Sequence, residues 1–144
     1  WSHWSGVIQP SLFQSAHGRV ILAHMSDEMR ENHIKAFLNR ARKEDISWYK
    51  SGQLDAELEI TRKRGYGIRE ELYWEPPFDE KPPIGAIAVP IITRDGIYGS
   101  LSLLWLEEHL SADIVIRTGM LERLKTAAGD ISTKLSEASI PPPD

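Results

Sequence analysis

The stretch IGAIAVPIITRDGIYGSLSLLW, residues 84–105, limits what this chain can fold into more than any other. Two apolar runs of strand length flank an Arg-Asp-Gly connection, and Asp-Gly supplies the positive φ that a tight hairpin turn needs. The spacing predicts strands over 84–93 and 97–105, antiparallel and adjacent. Alternate residues of a strand share a face, so Ser102 and Leu104 look to one side of the sheet while Leu101 and Leu103 look to the other.

The rest of the chain supplies cover for such a sheet. Residues 16–24 read as a short helix that begins near the Ser15 hydroxyl and buries Val20, Ile21 and Ala23. In MSDEMRENHIKAFLNRARK, Ser26 caps, acids fill the first turn, Ile34, Phe37 and Leu38 share a face with Met29 at its edge, and cations close the helix. A third helix places Leu54, Leu58 and Ile60 or Thr61 together and stops at Gly65. Between them DISWYKSGQ reads as a loop or short extended piece. YGIREELYW reads as a strand with Tyr66, Ile68 and Leu72 on related faces, and GVIQPSLFQS as a short extended entry. EPPFDEKPP holds four of the nine prolines and is a loop. SADIVIRTGMLERLKTAAGDISTKLSEA reads as one long amphipathic helix, and SIPPPD as a frayed tail. The fold class that follows is α+β within the broad α/β group: an antiparallel sheet flanked by helices.

Composition narrows the function. At 144 residues the chain suits one domain. A net charge of -4 lacks the positive field that draws nucleic acid phosphates, and no apolar run approaches the roughly 18 residues of a membrane span. Cysteine is absent, which excludes disulfides, thiolate nucleophiles and cysteine zinc sites and agrees with a reducing cytoplasm.

Candidate chemistry is sparse. His17 and His24 stand seven apart, about 10.5 Å along a helix, too far for two ligands of one metal. SAHGR has one glycine and lacks the spacing of a phosphate loop. Its small residues leave room either for another backbone or for a ligand. Glu70 and Glu71 point to opposite faces of a strand and read, like Asp79 and Glu80, as a solvated charged edge. No serine stands in a nucleophile elbow. Neither a metal nor a cofactor is expected, and nothing argues for an enzyme. Among five tryptophans, Trp48, Trp74 and Trp105 fall at loop or strand-end positions, where a pocket mouth collects aromatic rings. An aromatic pocket with one cation, such as Arg69, suits an aromatic carboxylate.

Four segments, FQSAHGRVILAHMSDE, ITRKRGYGIREE, IGAIAVPIITRDGIYGSLSLLW and LSADIVIRTGMLERLKTAAGDISTKL, together resemble in order and spacing the C-terminal effector-binding domain of IclR-type bacterial transcriptional regulators. The aromatic-rich character is similar to the branch answering to phenylpropionate-type compounds. The resemblance implies a GAF-like domain over 1–140, followed by a disordered tail over 141–144. It also implies that the family's domain starts somewhat earlier and that a winged helix-turn-helix, which binds DNA, lies outside this sequence. The implied function is sensing of a small organic effector, in a cytoplasmic homodimer or homotetramer without membrane contact.

By position, the family's pocket residues correspond to Ala16, His17, Arg69, Ile84, Ala86, Ser102 and Leu104, with Trp74 and Trp105 available to stack on a ring. His17 is bulkier than the family's usual residue, Arg69 inverts the usual acidic charge, and Ala86 replaces the usual cysteine. LYWEPPFDEKPP is a longer insert between the two pocket strands. These departures point away from glyoxylate-like or pyruvate-like effectors. Two other classes remain open: a small α/β hydrolase or isomerase, which needs a titratable pair in the pocket, and a ligand-free oligomerisation module.

Overall fold

A computed structural model describes residues 10–71, 73 and 84–143. Among the described residues it contains helices α1 (Ala16–His24), α2 (Asp27–Leu38), α3 (Lys43–Ser51), α4 (Gln53–Arg64), α5 (Ala112–Arg117) and α6 (Met120–Glu137). Strands β1 (Gly67–Ile68), β2 (Ile84–Thr93) and β3 (Gly96–Leu106) form one antiparallel sheet in the order β1-β2-β3.

The hairpin forms where the sequence puts it. Thr93 pairs with Gly96, whose φ of 134° is open to glycine and costly for other residues. A register shift between Ile91 and Ile92 adjusts the ladder next to the turn. The pleat then sorts side chains to two layers. On one face Ile87, Val89, Leu101, Leu103 and Trp105 meet Val115 of α5 and Leu121, Leu124 and Ala128 of α6, with Tyr66 and Ile68 joining them. On the other face Ala86 and Ala88 meet Ala16 and Val20 of α1. The opposite side of α1 carries Leu22 and Ala23 into a second cluster with Phe13, Ile34 and Phe37 of α2, and Leu54 and Leu58 of α4. Helix α1 is therefore a buried middle layer between the sheet and the outer helices.

Helices α1, α2 and α4 match the sequence reading, including the Ser15 and Ser26 caps and Gly65 in the left-handed conformation that ends α4. Three readings need correction. DISWYKSGQ is largely helical, because Asp45 accepts from the Arg42 backbone N–H at 3.2 Å, closing the first turn, and Gly52 at φ 83° ends the helix. The single C-terminal helix is two, since Gly119 at φ 89° breaks the backbone between α5 and α6. Among the described residues of the expected strand over 66–74, the ladder holds Gly67 and Ile68, Arg69 adds one bond to β2, and the chain then turns, with the Tyr73 N–H donating to the Glu70 carbonyl. Leu72 and the EPPFDEKPP loop lie outside the described residues, as do residues 6–9 of the expected N-terminal entry.

Glycine matters most where backbones meet α1. A Cβ at Gly67 would stand 2.3 Å from the Ala16 carbonyl oxygen, and one at Gly18 would stand 2.4 Å from the Leu12 carbonyl oxygen. The small residues of SAHGR thus serve, at Gly18, the approach of a neighbouring backbone. The C-terminal residues pack on the hairpin, the Tyr98 hydroxyl donating to the Ile140 carbonyl.

Candidate functional site

The site is built on the α1 side of the sheet by strand register. Gly67, Ala88 and Ser102 form one transverse row. The Arg69 N–H donates to the Ala86 carbonyl at 3.0 Å, so Arg69, Ala86 and Leu104 form the next. Ile84 and Leu106 make a third. Neighbouring strands lie about 4.8 Å apart, so Arg69 and Leu104 stand roughly 10 Å from each other with the alanine between them. Ala16 packs on Ala86 and Ala88 as part of the roof. His17, half-buried, lies one turn before Ile21, which packs at the edge of the same cluster.

Six of the proposed residues plus His17 are thereby gathered around one sheet face: Ala16, Arg69, Ile84, Ala86, Ser102 and Leu104. Trp105 is separated from them. It faces the α5 and α6 layer, lies so close over Gly85 that a Cβ there would be 2.4 Å from the indole, and donates its Nε1 proton to the Leu110 carbonyl at 2.9 Å. The alternation that brings Ser102 and Leu104 to one face sends Trp105 to the other. Trp74 lies outside the described residues. Trp48 sits on α3, with the Arg19 guanidinium 4.9 Å above its ring. His24 is occupied by local structure, its Nδ1 donating to the Val20 carbonyl at 2.8 Å.

The electrostatics single out Arg69. Among the described residues it is the half-buried arginine without a carboxylate within ion-pair distance, whereas Arg30 and Arg64 both have one. Its guanidinium lies 4.3 Å over the Tyr73 ring, and its Nη2 donates to the Tyr73 carbonyl at 3.2 Å. A half-desolvated cation with N–H donors to spare attracts an anion, and the planar guanidinium suits a carboxylate. The apolar part of the floor is open: Leu104 is 58% and Leu106 66% exposed.

Three features of the site escape the sequence reading. Leu106 continues the alternation of Ser102 and Leu104 by one further step and is readable from it. Tyr73 has no periodic signal. Glu70 is no solvated edge: it accepts from the Arg19 Nη2 at 2.8 Å, while Arg19, 3% exposed, also donates to the carbonyls of Phe13 at 2.7 Å and Ile68 at 3.0 Å. Away from this face, a groove of about 380 Å³ runs between the hairpin tip and the end of α6, lined by Ile92, Thr93, Arg94, Ser132 and Ser136 among others. It includes none of the residues above.

A small-residue floor, a helix roof and one cation without a carboxylate among the described residues are groups suited to holding an anion, and no nucleophile with its base stands among them. The family model described as the bacterial transcriptional regulator IclR C-terminal region matches residues 4–133, and the chain belongs to that family, a family of regulators. Comparison with curated proteins gives no match. Solved structures with the same fold include an IclR transcriptional regulator from Alicyclobacillus acidocaldarius, with a TM-score of 0.61 and 21% identity over 88% of this chain and 46% of that one. The C-terminal domain of KdgR from E. coli has a TM-score of 0.60 and 22% identity over 89% of this chain and 73% of that one. A double mutant of the PobR inducer-binding domain from Acinetobacter, in complex with 3-hydroxybenzoic acid, has a TM-score of 0.57 and 15% identity over 84% of this chain and 66% of that one. The chain spans about half the length of the Alicyclobacillus protein.

Proposed function

We propose that this chain is the effector-sensing part of an IclR-type regulator and binds a small organic acid, with an aromatic carboxylate as the best fit. The observation that carries the proposal is Arg69, a half-buried cation without a carboxylate partner among the described residues, in line with Ala86 and Leu104 across the sheet. The carboxylate pairs with Arg69, the ring lies against the open end of the floor at Leu104 and Leu106, and Ser102 and His17 offer polar contacts to ring substituents. The PobR domain, which holds a hydroxybenzoic acid on the same fold, supports this choice of ligand class.

Binding regulates by population shift: the acid favours one arrangement of the regulator over another and so alters the DNA affinity of a separate N-terminal winged helix-turn-helix. Homodimers or homotetramers in the cytoplasm are the expected working assembly. The test is a melting-temperature screen of benzoic, hydroxybenzoic and phenylpropionic acids with their carboxamides as controls. A ligand present at 100 times its Kd adds about 2.7 kcal/mol to native stability. Arg69→Ala and Ser102→Ala should weaken every acid that binds, and unchanged affinity in both variants would mean that the pocket lies elsewhere. Turnover of a stabilising acid would instead favour an enzyme.

A further inference from the structure

Arg69 belongs to neither a helix nor the short ladder of β1, yet its guanidinium has a defined seat. The seat is tied to a buried carboxylate on another helix. Asp45 of α3, 2% exposed, accepts from the Ser11 hydroxyl at 2.5 Å, from the Gln14 side-chain amide at 2.7 Å and from the Arg42 N–H at 3.2 Å. Three donors fix the plane of that carboxylate, and the carboxylate in turn fixes the loop leading into α1. From this loop the Ser11 N–H donates to the Tyr73 phenolic oxygen at 2.9 Å. Tyr73 is itself buried, and its ring and carbonyl are the two groups that hold Arg69. The Glu70 N–H donates to the Gln14 carbonyl at 2.8 Å, so the same loop grips the segment on both sides of residue 71.

We infer that Asp45 and Tyr73 are positioning residues for Arg69. Asp45 sets Ser11, Ser11 sets the phenol, and the phenol's ring sets the plane in which the guanidinium meets an anion. The ring covers one face of the guanidinium and, among the described residues, leaves its edge donors Nε and Nη1 for the ligand. The inference rests on the reading of Arg69 as the effector cation, and it makes the selectivity for a carboxylate depend on a residue of α3 that no effector touches.

The experiment reads Arg69 directly, with and without ligand. Phenylglyoxal modifies accessible arginines, and peptide mass mapping gives the rate at each site. Arg94, exposed at the hairpin turn, is the internal reference. Tyr73→Phe keeps the ring and removes the oxygen that Ser11 engages; Asp45→Asn weakens the tie one step earlier. Each should raise the Arg69 rate relative to Arg94 about fivefold, the population shift that loss of one ordinary hydrogen bond produces. Affinity for 3-hydroxybenzoate should fall by a similar factor, and the preference for the acid over its carboxamide should shrink.

An unchanged Arg69 rate in a folded Tyr73→Phe variant overturns the inference. So does a rate increase shared equally by all arginines, which marks general loosening. Should Asp45→Asn fail to fold, Tyr73→Phe alone decides. Failure of every benzoic acid to bind removes the proposed ligand class, and the reactivity ratio of Arg69 to Arg94 then decides by itself whether Tyr73 and Asp45 hold the seat.

Discussion

Replacing Arg19 by methionine keeps most of the length of the side chain and removes a guanidinium that has four hydrogen-bond or ion-pair partners. Its Nε and Nη1 reach the Phe13 and Ile68 carbonyls, Nη2 reaches Glu70 at 2.8 Å, and Nη1 lies 3.4 Å from Glu57. Loss of one partner from a fully buried ion pair costs about 3–5 kcal/mol. Here the carboxylates are 20% and 27% exposed, so water recovers part of the loss, and two carbonyls lose their donor in exchange. The balance is a destabilisation of about 3–4 kcal/mol. For a domain of this size each kcal/mol lowers Tm by about 3–4 °C, so the expected drop is roughly 10–14 °C.

Urea unfolding followed by circular dichroism measures this difference. Arg19→Lys should regain only a minor part of it, because an ammonium cannot span carbonyls and carboxylates that a planar fork reaches together. Adding Glu70→Gln to Arg19→Met should cost about 1–2 kcal/mol less than the sum of the two single losses, since the partners are in contact. A loss below about 1 kcal/mol for Arg19→Met, or strict additivity with Glu70→Gln, would refute the assignment of Arg19 as the tie between α1 and β1.

Gly85→Ala drives a methyl into the Trp105 indole and should cost about 1–3 kcal/mol, with a change in tryptophan near-ultraviolet dichroism; an unaltered spectrum counts against the observed stacking. Gly119→Ala, at φ 89°, should cost about 1–2 kcal/mol although nothing lies within 4 Å of the added carbon, because the penalty is one of backbone conformation; urea midpoints check it. Leu104→Ala should change stability by less than about 0.5 kcal/mol, the side chain being 58% exposed, and yet weaken the affinity of any aromatic acid that binds, as calorimetric titration would show.

What is legible in the sequence is what repeats. The hairpin, α1, α2 and α4 each announce themselves by period, cap or turn residue, and the two-sided sheet follows from alternation. Alternation alone is enough to gather Ser102 and Leu104 with Ala86, and applied one residue further it sends Trp105 away and brings Leu106 in. Helix α3 is hidden because Asp45 is the residue it buries, so no apolar stripe marks it. The break at Gly119 is hidden because Val115 and Leu121 serve one core, which masks the change of direction between them.

Polar ties over long sequence distance have no such period. Arg19 and Glu70 are 51 residues apart, and Ser11 and Tyr73 are 62 apart. Each of these side chains, read locally, belongs on a surface, and burial becomes favourable only when the partner arrives. That partnership also explains why β1 is so short. Once Arg19 holds the Ile68 carbonyl and the Glu70 carboxylate, and Gln14 takes the Glu70 N–H, the backbone at Glu70 is bound to the α1 loop instead of the sheet. The strand expected over 66–74 therefore stops where the polar ties begin, and Arg69, the last residue to bond β2, is left at the boundary with Tyr73 turned back beneath it.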